Sequence, residues 1–149
     1  MAALPASRRG FVTFGCFQTT SKLNDAVLSA WARILHAVPT ARLRIQSTRL
    51  GNAAEKARLA ARLGALGIAA QRIDLHGRAS RTAYLAAHAE MDIILDTFPY
   101  PGGTTTCEAL WMGVPTLTLA GDRLIARQGA GLLGAAGLGD WVVGDIDTY

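Results

Sequence analysis

Short apolar runs typical of strands alternate with longer helical stretches along the whole of this chain. The run Met91–Asp96 is almost continuously apolar, as expected of a strand that is buried on both faces of a sheet. In Leu23–His36 the apolar residues instead share one helical face, and Asn24 or Asp25 is placed to cap the helix. Strands separated by helices indicate βαβ units, so we predict an α/β fold, a Rossmann-like doubly wound parallel sheet of about six strands.

The same pattern assigns residue ranges to each element. The predicted strands are Phe11–Phe17, Leu43–Ser47, Arg72–His76, Met91–Asp96, Val114–Ala120 and Trp141–Val143. The predicted helices are Leu23–His36, Ala53–Leu66, Arg81–Glu90, Thr104–Met112 and Arg123–Ala136. Few residues precede the first strand or follow the last, so we expect residues 1–149 to form a single domain that is a fragment of a longer protein.

The composition is typical of a folded cytoplasmic domain. Half of the 149 residues are hydrophobic and 17% are charged, which argues against disorder. No apolar run is long enough to span a bilayer, and no signal peptide follows Arg8 and Arg9. The formal charge of +4 comes from scattered arginines without interleaved aromatic residues. This pattern argues against nucleic-acid binding and leaves either a small anionic ligand or a solvated basic surface.

The residue types that most often carry catalysis are dispersed. Cys16 and Cys107 belong to no metal-binding spacing, so we expect no metal site and two buried, reduced thiols. The histidines form no Ser/His/Asp set, and Asp92 is expected to have a structural partner. Trp31 and Trp111 lie on apolar helix faces and are predicted to be core residues.

The segment Asp96–Thr106 is the strongest candidate for a phosphate site. A buried strand ends here, a Pro/Gly loop follows, and a helix opens with the threonines Thr104–Thr106. Free N–H groups and the positive dipole end of a helix attract phosphate, and Gly102 and Gly103 allow a ligand to approach closely. The segment is neither a P-loop nor a dinucleotide fingerprint. The alternative is that Thr104 is only an N-cap and the glycines only shape a turn.

Four further residues are expected at the same edge of the sheet, because ligands bind at the carboxyl ends of parallel strands. Glu108 lies one turn into the threonine helix, where it either holds ribose hydroxyls or simply favours the helix dipole. Lys22 follows the first strand, from where its ammonium group can meet a diphosphate. Ala79 and Arg81 follow the third strand and can contact a base. For Lys22 and Arg81 the alternative is an ordinary solvated surface position.

Several blocks, in this order, resemble the O-linked N-acetylglucosamine transferase family, including its bacterial and SPINDLY-like members. The resembling residues are Phe14–Phe17 with Lys22, Trp31–Pro39, Asp92–Tyr100, Gly102–Pro115, and Gly121–Arg123 with Arg127. The long DTFPY…GGTTT…ALWMGVP block is specific, whereas the other motifs are not specific on their own. The resemblance runs from Phe11 to Trp141, which is nearly the whole chain.

The resemblance implies that the chain is the C-terminal, UDP-binding domain of a GT-B glycosyltransferase. Members transfer a sugar from UDP to protein serine or threonine, with inversion and without a required metal. The implied ligand is therefore a UDP-sugar, with no cofactor. UDP-N-acetylglucosamine is the expected donor, although glucose and fucose also occur as transferred sugars near this family. The residues that match family positions are Lys22 for the diphosphate, Thr104 and Thr105 for phosphate at the helix start, Glu108 for the ribose, and Ala79 and Arg81 for the uracil.

The chain also departs from the family pattern. Gly103 stands where some members have histidine, and Tyr84 stands where animal members have histidine. Pro101 replaces the asparagine of many bacterial relatives, and Thr19 replaces a glutamine. The resemblance places tetratricopeptide repeats, an N-terminal catalytic half and the protein-acceptor site in the full-length protein. We therefore expect this chain alone not to transfer sugar. The alternative function is a non-catalytic nucleotide-binding or protein-interaction module derived from a GT-B enzyme.

Overall fold

The computed structural model describes residues 4–149, in which parallel strands alternate with α-helices. The strands are β1 (Thr13–Cys16), β2 (Arg42–Gln46), β3 (Ile73–His76), β4 (Ile93–Leu95), β5 (Thr116–Leu119) and β6 (Val142–Val143). The helices are α1 (Pro5–Arg9), α2 (Asp25–Ala37), α3 (Ala53–Ala65), α4 (Arg81–Ala86), α5 (Thr104–Trp111) and α6 (Gln128–Ala135). The predicted alternation is confirmed.

The strands form one sheet in the order β3-β2-β1-β4-β5-β6, and every pair is parallel. This order confirms the predicted Rossmann-like, doubly wound sheet. The chain crosses from β3 to β4 through α4, so the strand order reverses between β1 and β4. Gly15 pairs with Ile94, which brings Gln18 and Asp96, just beyond the two strand ends, to the same edge of the sheet. Ligands of such sheets bind at this switch point.

Helix α2 packs its apolar face against the sheet. Its residues Val27, Trp31 and Leu35 are fully buried and belong to one core cluster with Leu43 of β2. A buried side chain of this size contributes roughly 1.5–3 kcal/mol when it leaves water. The helix begins at Asn24, whose side-chain oxygen accepts a hydrogen bond of 2.9 Å from the Val27 N–H.

A buried hydrogen-bond chain links α2 to the end of β4. The Trp31 indole N–H donates to the Tyr149 hydroxyl at 3.2 Å, and that hydroxyl donates to the Asp96 carbonyl at 2.7 Å. Burial raises the pKa of Tyr149, so the hydroxyl stays protonated and can donate. The chain of bonds ties the last residue to the strand end where the candidate site begins.

Two sequence predictions about buried side chains are wrong. Trp111 is 86% exposed, because it lies about 200° around α5 from the buried Ala109. Cys107 is exposed as well, whereas Cys16 is buried as predicted. Apolar residues occur on both sides of α5, so the sequence predicts a wider buried face than the helix has.

Other differences concern short or irregular elements. The five-residue α1 was not predicted, because it is too short to show a helical period. The predicted helix Arg123–Ala136 divides into a 3₁₀ turn at Leu124–Arg127 and then α6. Asp92 has the structural role predicted for it, since its carboxylate accepts from the N–H groups of Ala6 and Thr13, each at 2.8 Å. Within residues 4–149, none of the helices has the length and apolar content needed to cross a membrane.

Candidate functional site

The buried carboxylate of Asp96 organises the loop between β4 and α5. One oxygen accepts hydrogen bonds from the N–H groups of Thr97 at 2.9 Å and Gly102 at 2.7 Å, and the other accepts from the Thr118 hydroxyl at 2.8 Å. Asp96 is 1% exposed, and burial raises its pKa while these hydrogen bonds oppose the shift. The loop is thereby folded back onto the strand end, so that α5 starts next to β1.

Gln18 connects this loop to Lys22. Its side-chain amide donates to the Thr105 hydroxyl at 2.6 Å and lies 3.4 Å from the Asp96 carboxylate. Its amide oxygen accepts from the Lys22 ammonium group at 3.0 Å. The amide therefore holds a lysine from the first βα connection beside a threonine of the α5 N-terminus, 87 residues away from Gln18 in sequence.

The ammonium group of Lys22 lies against the Pro/Gly loop. It donates to the Pro101 carbonyl at 2.9 Å and lies 4.0 Å from the centre of the Tyr100 ring. Partial burial lowers the pKa of Lys22, and the nearby Asp96 opposes this shift. The site therefore contains a partly desolvated cation whose present partners are neutral oxygen acceptors and an aromatic ring.

The N-terminus of α5 is open. Gly103 is its N-cap residue, and within residues 4–149 no side chain caps the first turn by accepting a hydrogen bond. The alternative prediction that Thr104 is the N-cap is wrong, because Thr104 is already the first helical residue. The unsatisfied N–H groups carry the positive end of the helix dipole. A cleft of about 270 Å³ adjoins them, lined by Gln18, Lys22, Tyr100, Pro101, Gly103, Thr104, Thr105 and Gln128.

Two of the predicted phosphate-binding residues lie beneath this cleft. Thr106 is 1% exposed and its hydroxyl has no hydrogen-bond partner among the described residues, so its side chain belongs to the interior. Gly102 is also buried, and a side chain at that position would overlap the Gln18 amide and the Thr105 hydroxyl. The need for glycine at position 102 thus comes from the Gln18 contact.

Glu108 is the centre of a second group of side chains. One carboxylate oxygen accepts a hydrogen bond from Arg81 and the other accepts from the Tyr84 hydroxyl at 2.8 Å. The Glu108 side chain is 11% exposed, whereas that of Arg81 is 65% exposed. Both donors are residues of α4, whose N-cap residue is Ser80, and the Ser80 hydroxyl accepts a hydrogen bond from the Ala83 N–H. The predicted residues Arg81 and Glu108 are therefore brought into contact.

A second cleft, of about 300 Å³, adjoins the first. Its lining residues are Phe17, Gln18, Thr19, Gln46, Ser47, Thr48, Arg49, Gly77, Arg78, Ala79 and Tyr84. Gln18 lines both clefts, and Ala79 lines the second. Lys22 is the cation of the first cleft, and Tyr84 of the second cleft donates a hydrogen bond to the Glu108 carboxylate.

The sequence predicted most of the residues that line the two clefts or contact Glu108, but it missed three. Gln18, Asp96 as the loop anchor, and Gln128 were not proposed as site residues. Their position directly after strands, or at the start of α6, is the signal that was available. Among the residues that the structure describes, no group of three or more His, Cys, Asp or Glu side chains could hold a metal ion.

Comparison with known proteins identifies the family. The sequence profile of glycosyl transferase family 41 matches residues 4–149. A curated relative is the "Probable UDP-N-acetylglucosamine--peptide N-acetylglucosaminyltransferase SPINDLY" of Arabidopsis thaliana. It is 42% identical over 146 residues, which are 97% of this chain and 16% of the plant protein.

Solved structures of glycosyltransferases resemble this chain. A mutant of the Thermobaculum terrenum O-GlcNAc transferase has a TM-score of 0.91 and 42% identity, over 99% of this chain and 29% of that chain. Anabaena HepE in complex with UDP and glucose has a TM-score of 0.54 and 19% identity, over 76% of this chain and 32% of that chain, which is a likeness of fold alone. The fold class is that of a C-terminal GT-B glycosyltransferase domain. This chain belongs to glycosyl transferase family 41.

Proposed function

We propose that this chain is the part of a protein O-glycosyltransferase that binds the sugar nucleotide, and that the nucleotide is UDP-N-acetylglucosamine. The name of the plant relative supports this donor and a peptide acceptor, and the UDP complex of HepE shows that a protein of this fold holds UDP. This chain covers 16% of the plant relative. We place the acceptor site, an N-terminal catalytic half and tetratricopeptide repeats in the longer cytoplasmic protein, and we expect this chain alone to bind UDP without transferring sugar.

The main support for the proposal is that a lysine cation and the open N-terminus of α5 line the same small cleft. Lys22 and Thr105 are joined through the Gln18 amide, and the uncapped N–H groups of α5 face the same space. Two phosphate groups need several hydrogen-bond donors and a positive potential, and both are present here before any ligand arrives.

The same groups would assist sugar transfer. When an acceptor hydroxyl attacks the anomeric carbon, the bond to UDP breaks and negative charge grows on the β-phosphate. Lys22 and the α5 amides would stabilise that charge more strongly in the transition state than in the bound donor, which is how fixed donors lower a barrier. In this proposal the cationic role in the leaving-group site belongs to Lys22 and the helix dipole.

The second cleft is assigned to the nucleoside. In this proposal Ala79 and Arg81 frame the uracil, and the Glu108 carboxylate accepts hydrogen bonds from ribose hydroxyls. Each Glu108 oxygen already accepts one hydrogen bond, from Arg81 or Tyr84, and retains capacity for another.

Isothermal titration calorimetry of this chain with UDP tests the proposal. Lys22→Met is expected to weaken UDP binding about 10- to 100-fold, because a charge-assisted hydrogen bond is worth about 1.5–3 kcal/mol. The matched control is Lys56→Met, which makes the same change at an exposed position of α3. ADP should bind more weakly than UDP. Equal effects of the two methionine variants, or no binding of UDP at all, would contradict the proposal.

A further inference from the structure

Tyr84 links the second cleft to Glu108. Its ring lines the nucleoside cleft, and its hydroxyl donates to Glu108 at 2.8 Å. Burial, together with the hydrogen bond to Glu108, raises the pKa of Tyr84, so the hydroxyl remains a donor at neutral pH. The other donor to this carboxylate is the mostly exposed Arg81, whose long side chain orients a partner weakly.

The ring of Tyr84 is held by an aromatic cluster. It packs edge-on against Phe17, with ring centres 5.3 Å apart, and against His88, with ring centres 5.4 Å apart. Phe17 and His88 stack at 3.9 Å with nearly parallel planes. These contacts fix the direction of the Tyr84 hydroxyl without any charged group in the cluster, because burial lowers the pKa of His88 and favours its neutral form.

His88 adds a second restraint on the same turn of helix. Its Nδ1 atom lies 3.2 Å from the Tyr84 carbonyl oxygen. A carbonyl can only accept, so the Nδ1–H must donate, and the backbone of Tyr84 is held as well as its ring. The hydroxyl of Tyr84 is therefore the one donor to Glu108 that is fixed from both the ring and the backbone.

We propose that Tyr84 is a positioning residue that orients the Glu108 carboxylate toward the ribose hydroxyls, and so makes the site select ribonucleotides over 2′-deoxyribonucleotides. The inference rests on the proposed function, because it needs UDP in the second cleft. One lone pair on each Glu108 oxygen is engaged by Tyr84 or Arg81, which directs the remaining acceptor capacity of the carboxylate. A rotated carboxylate would meet the ribose less well and would lose part of the discrimination.

The substitution Tyr84→Phe tests this idea, because it removes one hydroxyl and keeps the ring that packs on Phe17 and His88. Affinities for UDP and 2′-deoxy-UDP are measured by calorimetry on the wild-type chain and the variant. We expect wild type to bind UDP more tightly than 2′-deoxy-UDP. We expect Tyr84→Phe to weaken UDP binding about 3- to 10-fold, as for the loss of one hydrogen bond, and to weaken 2′-deoxy-UDP binding less, because that nucleotide keeps only the 3′-hydroxyl.

A double-mutant cycle with Glu108→Gln provides the second measurement. If Tyr84 acts through Glu108, adding Tyr84→Phe to Glu108→Gln should change the ratio of UDP to 2′-deoxy-UDP affinity by less than about twofold. Thermal unfolding of each variant shows whether it is folded before it is titrated.

The possible outcomes separate the inference from the function. Equal weakening of UDP and 2′-deoxy-UDP by Tyr84→Phe would show a merely structural role and would overturn the inference. Wild-type binding of UDP without any preference over 2′-deoxy-UDP would also overturn it, while leaving the proposed function standing. Absence of UDP binding by the wild-type chain would overturn both.

Discussion

The cleft beside Lys22, which we propose binds the diphosphate, and the cleft beside Tyr84, which we propose binds the nucleoside, are built differently. On the diphosphate side, the buried Asp96 holds backbone N–H groups, and Gln18 joins Lys22 to the start of α5. On the nucleoside side, the Glu108 carboxylate accepts hydrogen bonds from two side chains of the short helix α4, and the Arg81 side chain is 65% exposed.

The two sides differ in whether the main chain or side chains form the contacts that shape the binding site. Hydrogen bonds from a buried carboxylate to backbone amides fix the main chain, so the diphosphate side is part of what holds the fold together. Side-chain contacts on an exposed helix adjust recognition at little cost to the fold. We therefore expect substitutions on the diphosphate side to change stability and binding together, and those on the nucleoside side to change mainly selectivity.

The largest expected effect comes from Asp96→Ala. It leaves the N–H groups of Thr97 and Gly102 and the Thr118 hydroxyl without their acceptor, and a buried unsatisfied group costs about 1–3 kcal/mol. We expect the free energy of unfolding, measured in urea, to fall by at least about 3 kcal/mol. Glu108→Ala on the nucleoside side should cost about 1 kcal/mol or less, since its partners reach solvent more easily. Similar losses for the two variants would refute the comparison.

Asp96→Asn is the matched control, because asparagine keeps the shape of the side chain and removes its charge. Its side-chain oxygen can still accept from Thr97 and Gly102, and its amide N–H can donate to Thr118 if that hydroxyl turns. We expect most of the stability lost in Asp96→Ala to be retained in Asp96→Asn.

A smaller effect is expected from Gly102→Ala. The new methyl group would overlap the Gln18 amide and the Thr105 hydroxyl, and overpacking of this kind costs about 1–3 kcal/mol. At the adjacent position, the three atoms nearest to the methyl group of Gly103→Ala all belong to the Gln128 side chain, which is exposed and can rotate away. Urea unfolding of the pair should therefore show a loss for Gly102→Ala and little change for Gly103→Ala. The reverse order would contradict the role given to Gln18.

The smallest effect concerns pH. Burial lowers the pKa of Lys22 below its usual 10.5 in the free chain, and a bound diphosphate would raise it again. UDP affinity should thus be full below the free-chain pKa and should fall, by about tenfold or less, as pH rises between the two values. Lys22→Arg stays charged and should lack this fall, so calorimetry of both proteins at rising pH separates Lys22 from deprotonation of the uracil. Identical pH profiles would contradict the assignment.

The sequence predicted the fold well because its signals are local. The apolar period of Leu23–His36, the Asn24 cap and the continuous apolar strand before Asp96 all concern neighbouring residues, and the structure has each of them. Lys22, Thr104 and Thr105 were predicted in the same way, because strand ends and helix starts mark the ligand edge of a parallel sheet, and the structure places them around one cleft.

What the sequence could not show depends on packing between distant segments. Gln18 is recognisable as a site residue only once it lies against Thr105. The contact between Arg81 and Glu108 likewise needs α4 and α5 to be placed side by side. The prediction that Trp111 is a core residue was wrong for the same reason, since its exposure depends on which neighbours cover α5.

The central claim is that the two clefts that share Gln18 bind the diphosphate and the nucleoside of one UDP molecule, and amide NMR of this chain tests it most directly. Titration with UDP should shift the resonances of Lys22, Gly103–Thr105 and Ala79–Arg81 together. Pyrophosphate should shift only the first two groups and uridine only the last. Shifts confined to other regions, or none with UDP at millimolar concentration, would contradict the account.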